Sequence, residues 1–163
     1  MSAPLSLVHG PPLAQEPGQG AQTIPAYLDM VRARHGARDA VVMRTADRRI
    51  CWSYDELHAR SVAVARALIA AGLGKDGRVG VLMANRPEYL ASVFGIAMAG
   101  GVTVALSSFS SAEELSHLVQ ASAIGILLFD TRVMKKDFAA MLAGIDKGPF
   151  LHRLVQLDSV TDA

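Results

Sequence analysis

The stretch that most constrains the fold is Gly77–Ser108, GRVGVLMANRPEYLASVFGIAMAGGVTVALSS. Arg78–Ala84 is a short apolar run suited to a strand buried on both faces. Asn85 is placed to cap a following helix, with Pro87 in its first turn and Glu88 three residues on. Leu90, Phe94 and Ala97 recur at helical spacing, and Gly100-Gly101 stops the helix. Val102–Leu106 is a β-branched run that re-enters the sheet. A strand–helix–strand unit this short makes a parallel crossover, so the expected fold class is α/β.

Tyr89–Leu106 also carries no charge for 18 residues, the lower edge of a membrane-spanning length. The Gly-Gly pair in its middle, the β-branched residues after it and the capping signals before it oppose a span, so no membrane span is expected. A formal net charge of +1 gives no electrostatic pull toward nucleic acid or anionic lipid. The single cysteine, Cys51, cannot form an internal disulfide. With no secretory signal, it fits a cytoplasmic protein. Between Ile50 and Trp52 it reads as a buried or half-buried strand thiol rather than a nucleophile.

Residues 1–22, rich in Pro, Gly and Gln, read as a flexible leader. Thr23 opens a helix with Ile24, Leu28 and Val31 inward, closed by Gly36. Ala40–Arg44 and Arg49–Ser53 form a hairpin around the Thr45–Arg48 turn. Ser53 and Glu56 make a capping box for a helix that puts Leu57, Ser61, Val64 and Leu68 on one stripe. Gly72 with Leu73 suits its C-cap. A second capping box, Ser111 to Glu114, opens a helix with Leu115, Leu118 and Val119 inward. Ile124–Phe129 is a buried strand. Met134, Phe138, Met141 and Leu142 line a further helix ended near Gly144, and Leu154–Leu157 is the last strand. Together these describe a flavodoxin-like parallel sheet with helices on both faces and a small hairpin beside it, over residues 23–158, with a short tail at 159–163.

Chemical signals are few. Gly72–Gly77 matches G-x-G-x-x-G letter for letter, but it follows a helix and opens a strand, the reverse of a dinucleotide fingerprint. The five histidines, His9, His35, His58, His117 and His152, are far apart and give no metal spacing. There is no G-x-S-x-G elbow and no G-x-x-x-x-G-K-[ST] loop. The best site candidate is the serine-rich loop Ser107–Ser111, at the carboxyl end of a parallel strand where ligands often bind, although a plain strand-to-helix loop has the same appearance.

Three segments carry a family resemblance. CWSYDEL at Cys51–Leu57 resembles the x-T-Y-x-E-L opening motif of the adenylate-forming superfamily, the acyl-CoA synthetases and their relatives. GRVGVLMANRPE at Gly77–Glu88 is similar to the G-D-R-V-x-x-x-x-x-N-x-P-E stretch that follows in that family. AGGVTVALSSFSSAEEL at Ala99–Leu115 resembles its K-A-G-x-x-x-x-P-L motif and the helix after it. The order and spacing match, over about Thr23 to Leu157. Ala105 stands where the third motif usually has proline, and Ser107-Ser108 replaces a common Asn-Pro. The S-F-S-x-x-E-L form is nearer to members that ligate carboxylic acids, including fatty acids, to coenzyme A than to peptide-synthetase modules.

The resemblance implies an enzyme that joins ATP and a carboxylate, with Mg²⁺, into an acyl-adenylate, and then passes the acyl group to coenzyme A. The family's phosphate loop, nucleotide motifs and C-terminal domain with its catalytic lysine have no counterpart in these 163 residues. The chain is therefore expected to be the first part of such a ligase, inactive alone, whose partner is the remainder of the enzyme. No catalytic or metal-binding residue is assigned. By the same resemblance Ser107, Ser108, Phe109 and Lys135, with Arg132 the other basic candidate, fall where relatives contact the nucleotide end of coenzyme A. A non-catalytic interaction module on the same scaffold and an independent nucleotide-binding domain are the other readings. Apolar surface cut from a larger enzyme would favour a homo-dimer.

Overall fold

The computed structural model describes Pro12, residues 23–46 and residues 48–157; all but Pro12 of the expected leader, and the tail at 159–163, lie outside the described residues. The chain order is α1 (Ile24–His35), β1 (Asp39–Arg44), β2 (Arg49–Ser53), α2 (Tyr54–Ala70), β3 (Arg78–Leu82), α3 (Pro87–Met98) and β4 (Val102–Ala105). It continues with α4 (Ala112–Ala121), β5 (Ile126–Asp130), β6 (Arg132–Val133), β7 (Lys136–Asp137), α5 (Phe138–Gly144) and β8 (Arg153–Leu157).

Four strands form an all-parallel sheet in the order β4-β3-β5-β8. Numbered within the sheet, that is 2-1-3-4, the flavodoxin-like winding expected from the alternation of capped helices and apolar runs. Strands β3 and β5 are central and their side chains alternate between faces. Leu82, Leu127 and Phe129 pack with α4 and α5 residues Leu115, Val119, Phe138 and Leu142. Val79, Val81, Ile126 and Leu128 pack on the other face with Leu68 of α2 and Ile96 of α3. Burial on both faces is why these strands read as unbroken apolar runs; each such side chain contributes about 2 kcal/mol when fully buried. A third cluster, Leu28, Trp52, Leu57 and Ala91, seats α1 and the β1–β2 hairpin on the outside of α2 and α3.

The helix ends follow their sequence signals closely. Ser53 and Ser111 each accept from the amide of the glutamate three residues on, and each glutamate carboxylate accepts from the serine amide. Gly72 at φ 90 and Gly100 at φ 76 end α2 and α3 in the left-handed region. There Leu73 N–H donates to Leu68 O and Gly101 N–H to Ile96 O, the six-to-one bonds of a Schellman motif.

Four expectations are corrected. Asn85 is not the cap of α3: Arg86 occupies that position without a side-chain cap bond, and Pro87 at the first helical position lacks an N–H that a helix start leaves without an intrahelical partner in any case. The buried stripe of α3 is Ala91, Ser92, Gly95 and Ile96, whereas Leu90 is exposed; the helix is apolar on every side, so spacing alone could not choose the face. Ile24 is exposed, and only Leu28 of α1 is fully buried. Met134 does not belong to a helix. Residues 132–137 form the small antiparallel hairpin β6–β7, with Met134 at φ 55 in its two-residue turn, and α5 begins only at Phe138, capped by Asp137.

Candidate functional site

The serine-rich loop continues directly from the sheet. Leu106 N–H still donates to Val81 O, and the chain then turns, with Ser110 N–H donating to Ser107 O at 3.2 Å. Phe109 N–H donates to Ser107 Oγ at 3.1 Å, so the first serine of the loop fixes its own turn. Ser110 is buried and Ser111 caps α4. Between these anchored residues Phe109 stands 80% exposed. A cavity of about 430 Å³ beside it is lined by Ser107, Phe109, Ser110, Glu114, His117 and Leu118, within the size range of small-molecule sites.

Lys136 reaches this loop from β7. Its Nζ donates to Phe109 O at 2.6 Å and Ser110 O at 2.8 Å. Of the candidates read from sequence, Ser107, Ser108 and Phe109 share this loop. Lys135 is exposed in the turn of the β6–β7 hairpin beside Met134, and is not on a helix surface. Arg132 is paired with Asp137 at 3.3 Å across that hairpin and is largely exposed. The residue that sequence reasoning missed is Lys136. Two adjacent lysines in a turn look alike in sequence; the β6–β7 pairing decides which of them faces the loop.

A second polar cluster lies where the winding reverses, between the carboxyl ends of β3 and β5, the place where open parallel sheets commonly bind ligands. Here it is filled from within. Asp130, 1% exposed, accepts from Ala84 N–H at 2.9 Å and from Arg86 Nη1 at 2.6 Å, while Arg86 Nε donates to Glu88 at 2.8 Å. Burial is the largest single influence on the Glu88 carboxyl and would raise it, but its bond to Arg86, its own backbone N–H and the charges of Arg86 and Arg60 together outweigh this and hold it below the ordinary value. Cys51, half-buried on β2, has its thiol pushed up chiefly by its hydrogen bond with Asp39, which suits an inert strand residue. Among the described residues no group of three His, Cys, Asp or Glu side chains could hold a metal ion. No helix among them is long and apolar enough to cross a membrane.

The AMP-binding enzyme profile matches residues 28–161. The chain belongs to the AMP-binding enzyme family. Within this family of adenylate-forming enzymes, the acyl-CoA ligase sidI of Beauveria bassiana is 28% identical over 148 residues, which cover 89% of this chain and 25% of that protein. The Mycobacterium tuberculosis fatty acyl CoA synthetase superposes with a TM-score of 0.73 at 21% identity, covering 83% of this chain and 26% of that one. The N-terminal domain of FACL13 from Mycobacterium tuberculosis superposes with a TM-score of 0.72 at 22% identity, covering 83% of this chain and 34% of that one. The chain thus spans about a quarter of the length of the curated acyl-CoA ligases it matches. The parallel sheet, five helices and hairpin among the described residues are the fold of an AMP-binding N-terminal domain.

Proposed function

We propose that this chain is part of an ATP-dependent carboxylate–coenzyme A ligase, with a fatty acid the favoured carboxylate. Its own contribution is a scaffold and a contact surface for the nucleotide end of coenzyme A at Ser107, Ser108, Phe109 and Lys135. The observation that carries the reading is the loop after β4: an exposed aromatic ring on an anchored turn, beside a cavity, at the carboxyl end of a parallel sheet. The names of the relatives, an acyl-CoA ligase and a fatty acyl CoA synthetase, support the choice of reaction. Such an enzyme condenses ATP with a carboxylate, releasing pyrophosphate, and the coenzyme A thiol then displaces AMP from the acyl-adenylate.

The residues present do not fit ATP and Mg²⁺. Catalysis of adenylation needs donors and a cation aimed at charge that develops on the phosphates. The four lysines are Lys75, Lys135, Lys136 and Lys147, and none lies in a Ser/Thr/Gly-rich loop from a strand to a helix. Lys75 follows α2 and precedes β3, so its loop does not open a helix. The 163 residues alone are therefore inactive in this reading and work with the remainder of a ligase, in the cytoplasm. Carboxylate-dependent ATP–pyrophosphate exchange tests it. We expect none from this chain and exchange from a longer chain of the same reading frame. Equal exchange by the short chain would overturn the scaffold role, and an inactive longer chain would favour the interaction-module reading.

A further inference from the structure

Lys136 has a task that its neighbour does not. Its backbone is fixed on both sides: Val133 pairs with it across the β6–β7 hairpin, and after it come Asp137, the cap of α5, and Phe138, which is fully buried. From that rigid base its ammonium donates to two consecutive carbonyls, those of Phe109 and Ser110. A cation beside the N-terminus of α4 works against the helix dipole, so the attraction that holds Lys136 there is to these carbonyls and not to the helix. Both hydrogen-bonding groups of the Phe109 backbone are thus engaged, N–H to Ser107 and carbonyl to Lys136, while its ring stays in solvent.

We propose that Lys136 is a positioning residue that clamps the Ser107–Ser111 loop to the β6–β7 hairpin, presenting the Phe109 ring as a preformed face for the planar base of coenzyme A. Lys135, exposed at the hairpin turn, is left to meet the phosphate charge. The assignment of the ligand rests on the function proposed above; the clamp itself does not. Preformed contacts spare a ligand the entropy of ordering the loop, so losing the clamp weakens binding without removing any ligand contact.

The test uses the 163-residue chain and its K136M, K136R and K135M variants, with amide hydrogen exchange across residues 107–111 and coenzyme A titration by calorimetry. K136M should speed exchange at the loop amides and weaken coenzyme A, each by about tenfold, the scale of losing a charge-assisted hydrogen bond. K136R, which keeps a cation with several donors, should restore both to within about threefold. K135M should leave loop exchange unchanged and weaken coenzyme A with a smaller salt dependence. Unchanged loop exchange in K136M overturns the clamp, as does K136R that folds yet exchanges as fast as K136M. Faster exchange in K136M with no coenzyme A binding by the unaltered chain supports the clamp and overturns the ligand assignment.

Discussion

Ala123 ends α4 in the left-handed region, at φ 49. Its N–H donates to Gln120 O and the next amide, Ile124 N–H, to Val119 O, the same closing pattern that Gly72 and Gly100 make for α2 and α3. Alanine has a Cβ that crowds the backbone there, and glycine does not. A123G is therefore expected to stabilise the chain by about 0.5–1 kcal/mol, net of the extra freedom glycine has when unfolded, as a rise in the urea midpoint at constant slope. Arg86 is the opposite case. Its side chain is nearly buried between Asp130 and Glu88, and R86M would leave Asp130 as an uncompensated buried charge. We expect R86M to cost about 3 kcal/mol at neutral pH. The Glu88 carboxyl is held below its ordinary value of 4.5 in the folded state, so its share of stability is present above that pH and is lost as pH falls through the folded value. R86M removes the largest of the lowering influences, and urea melts below pH 4.5 should show its stability falling less steeply with acid than that of the unaltered chain. Neither feature is written plainly in the sequence. Asp130 is visible as an acid ending an apolar run, but its partner lies 44 residues away and is brought close only by the β3–β5 pairing.

Helix α3 shows how much an element's own sequence can specify. Pro87 and Gly100-Gly101 set its ends, and both are found where expected. Its buried face is set by a neighbour. A Cβ built on Gly95 would stand 2.7 Å from Ser61 O and 2.7 Å from Val64 Cβ, so the backbones of α2 and α3 approach as closely as glycine allows. G95A must push the two helices apart, and because one of the obstructing atoms is backbone, side-chain rotation cannot absorb it. A loss of about 1–3 kcal/mol is expected, read by thermal melting, with the Trp52 emission shifting as its cluster on α2 and α3 loosens. The capping boxes of α2 and α4 were legible because each is a closed local circuit of side chain and backbone within four residues. The β6–β7 hairpin was not, because two-residue strands carry too few side chains to impose a period.

At the scale of the molecule, exposed apolar side chains lie beyond the carboxyl end of the sheet and along its border. Phe109 and Met134 are 80% and 87% exposed, and Leu154 on β8 is exposed as well. Strand β8 pairs with β5 on one side and with no other strand among the described residues. Patches of this kind drive self-association. Sedimentation velocity on the 163-residue chain should therefore show dimers or larger species that grow with concentration; a monomer at high concentration that binds no apolar dye would contradict this.

The winding of the sheet also orders events in time. During synthesis, β3 can pair with β4 as soon as α3 has folded between them, through a short crossover. Its other partner, β5, is made only after α4, and of the three strand pairings in this sheet β3–β5 closes the longest stretch of chain. Until then one side of Val79–Leu82, uncharged and rich in β-forming residues, lies open to any other extended strand nearby. The interval between completing β4 and completing β5 is thus when a growing chain most needs shelter from its neighbours, and slowing translation there would lengthen it.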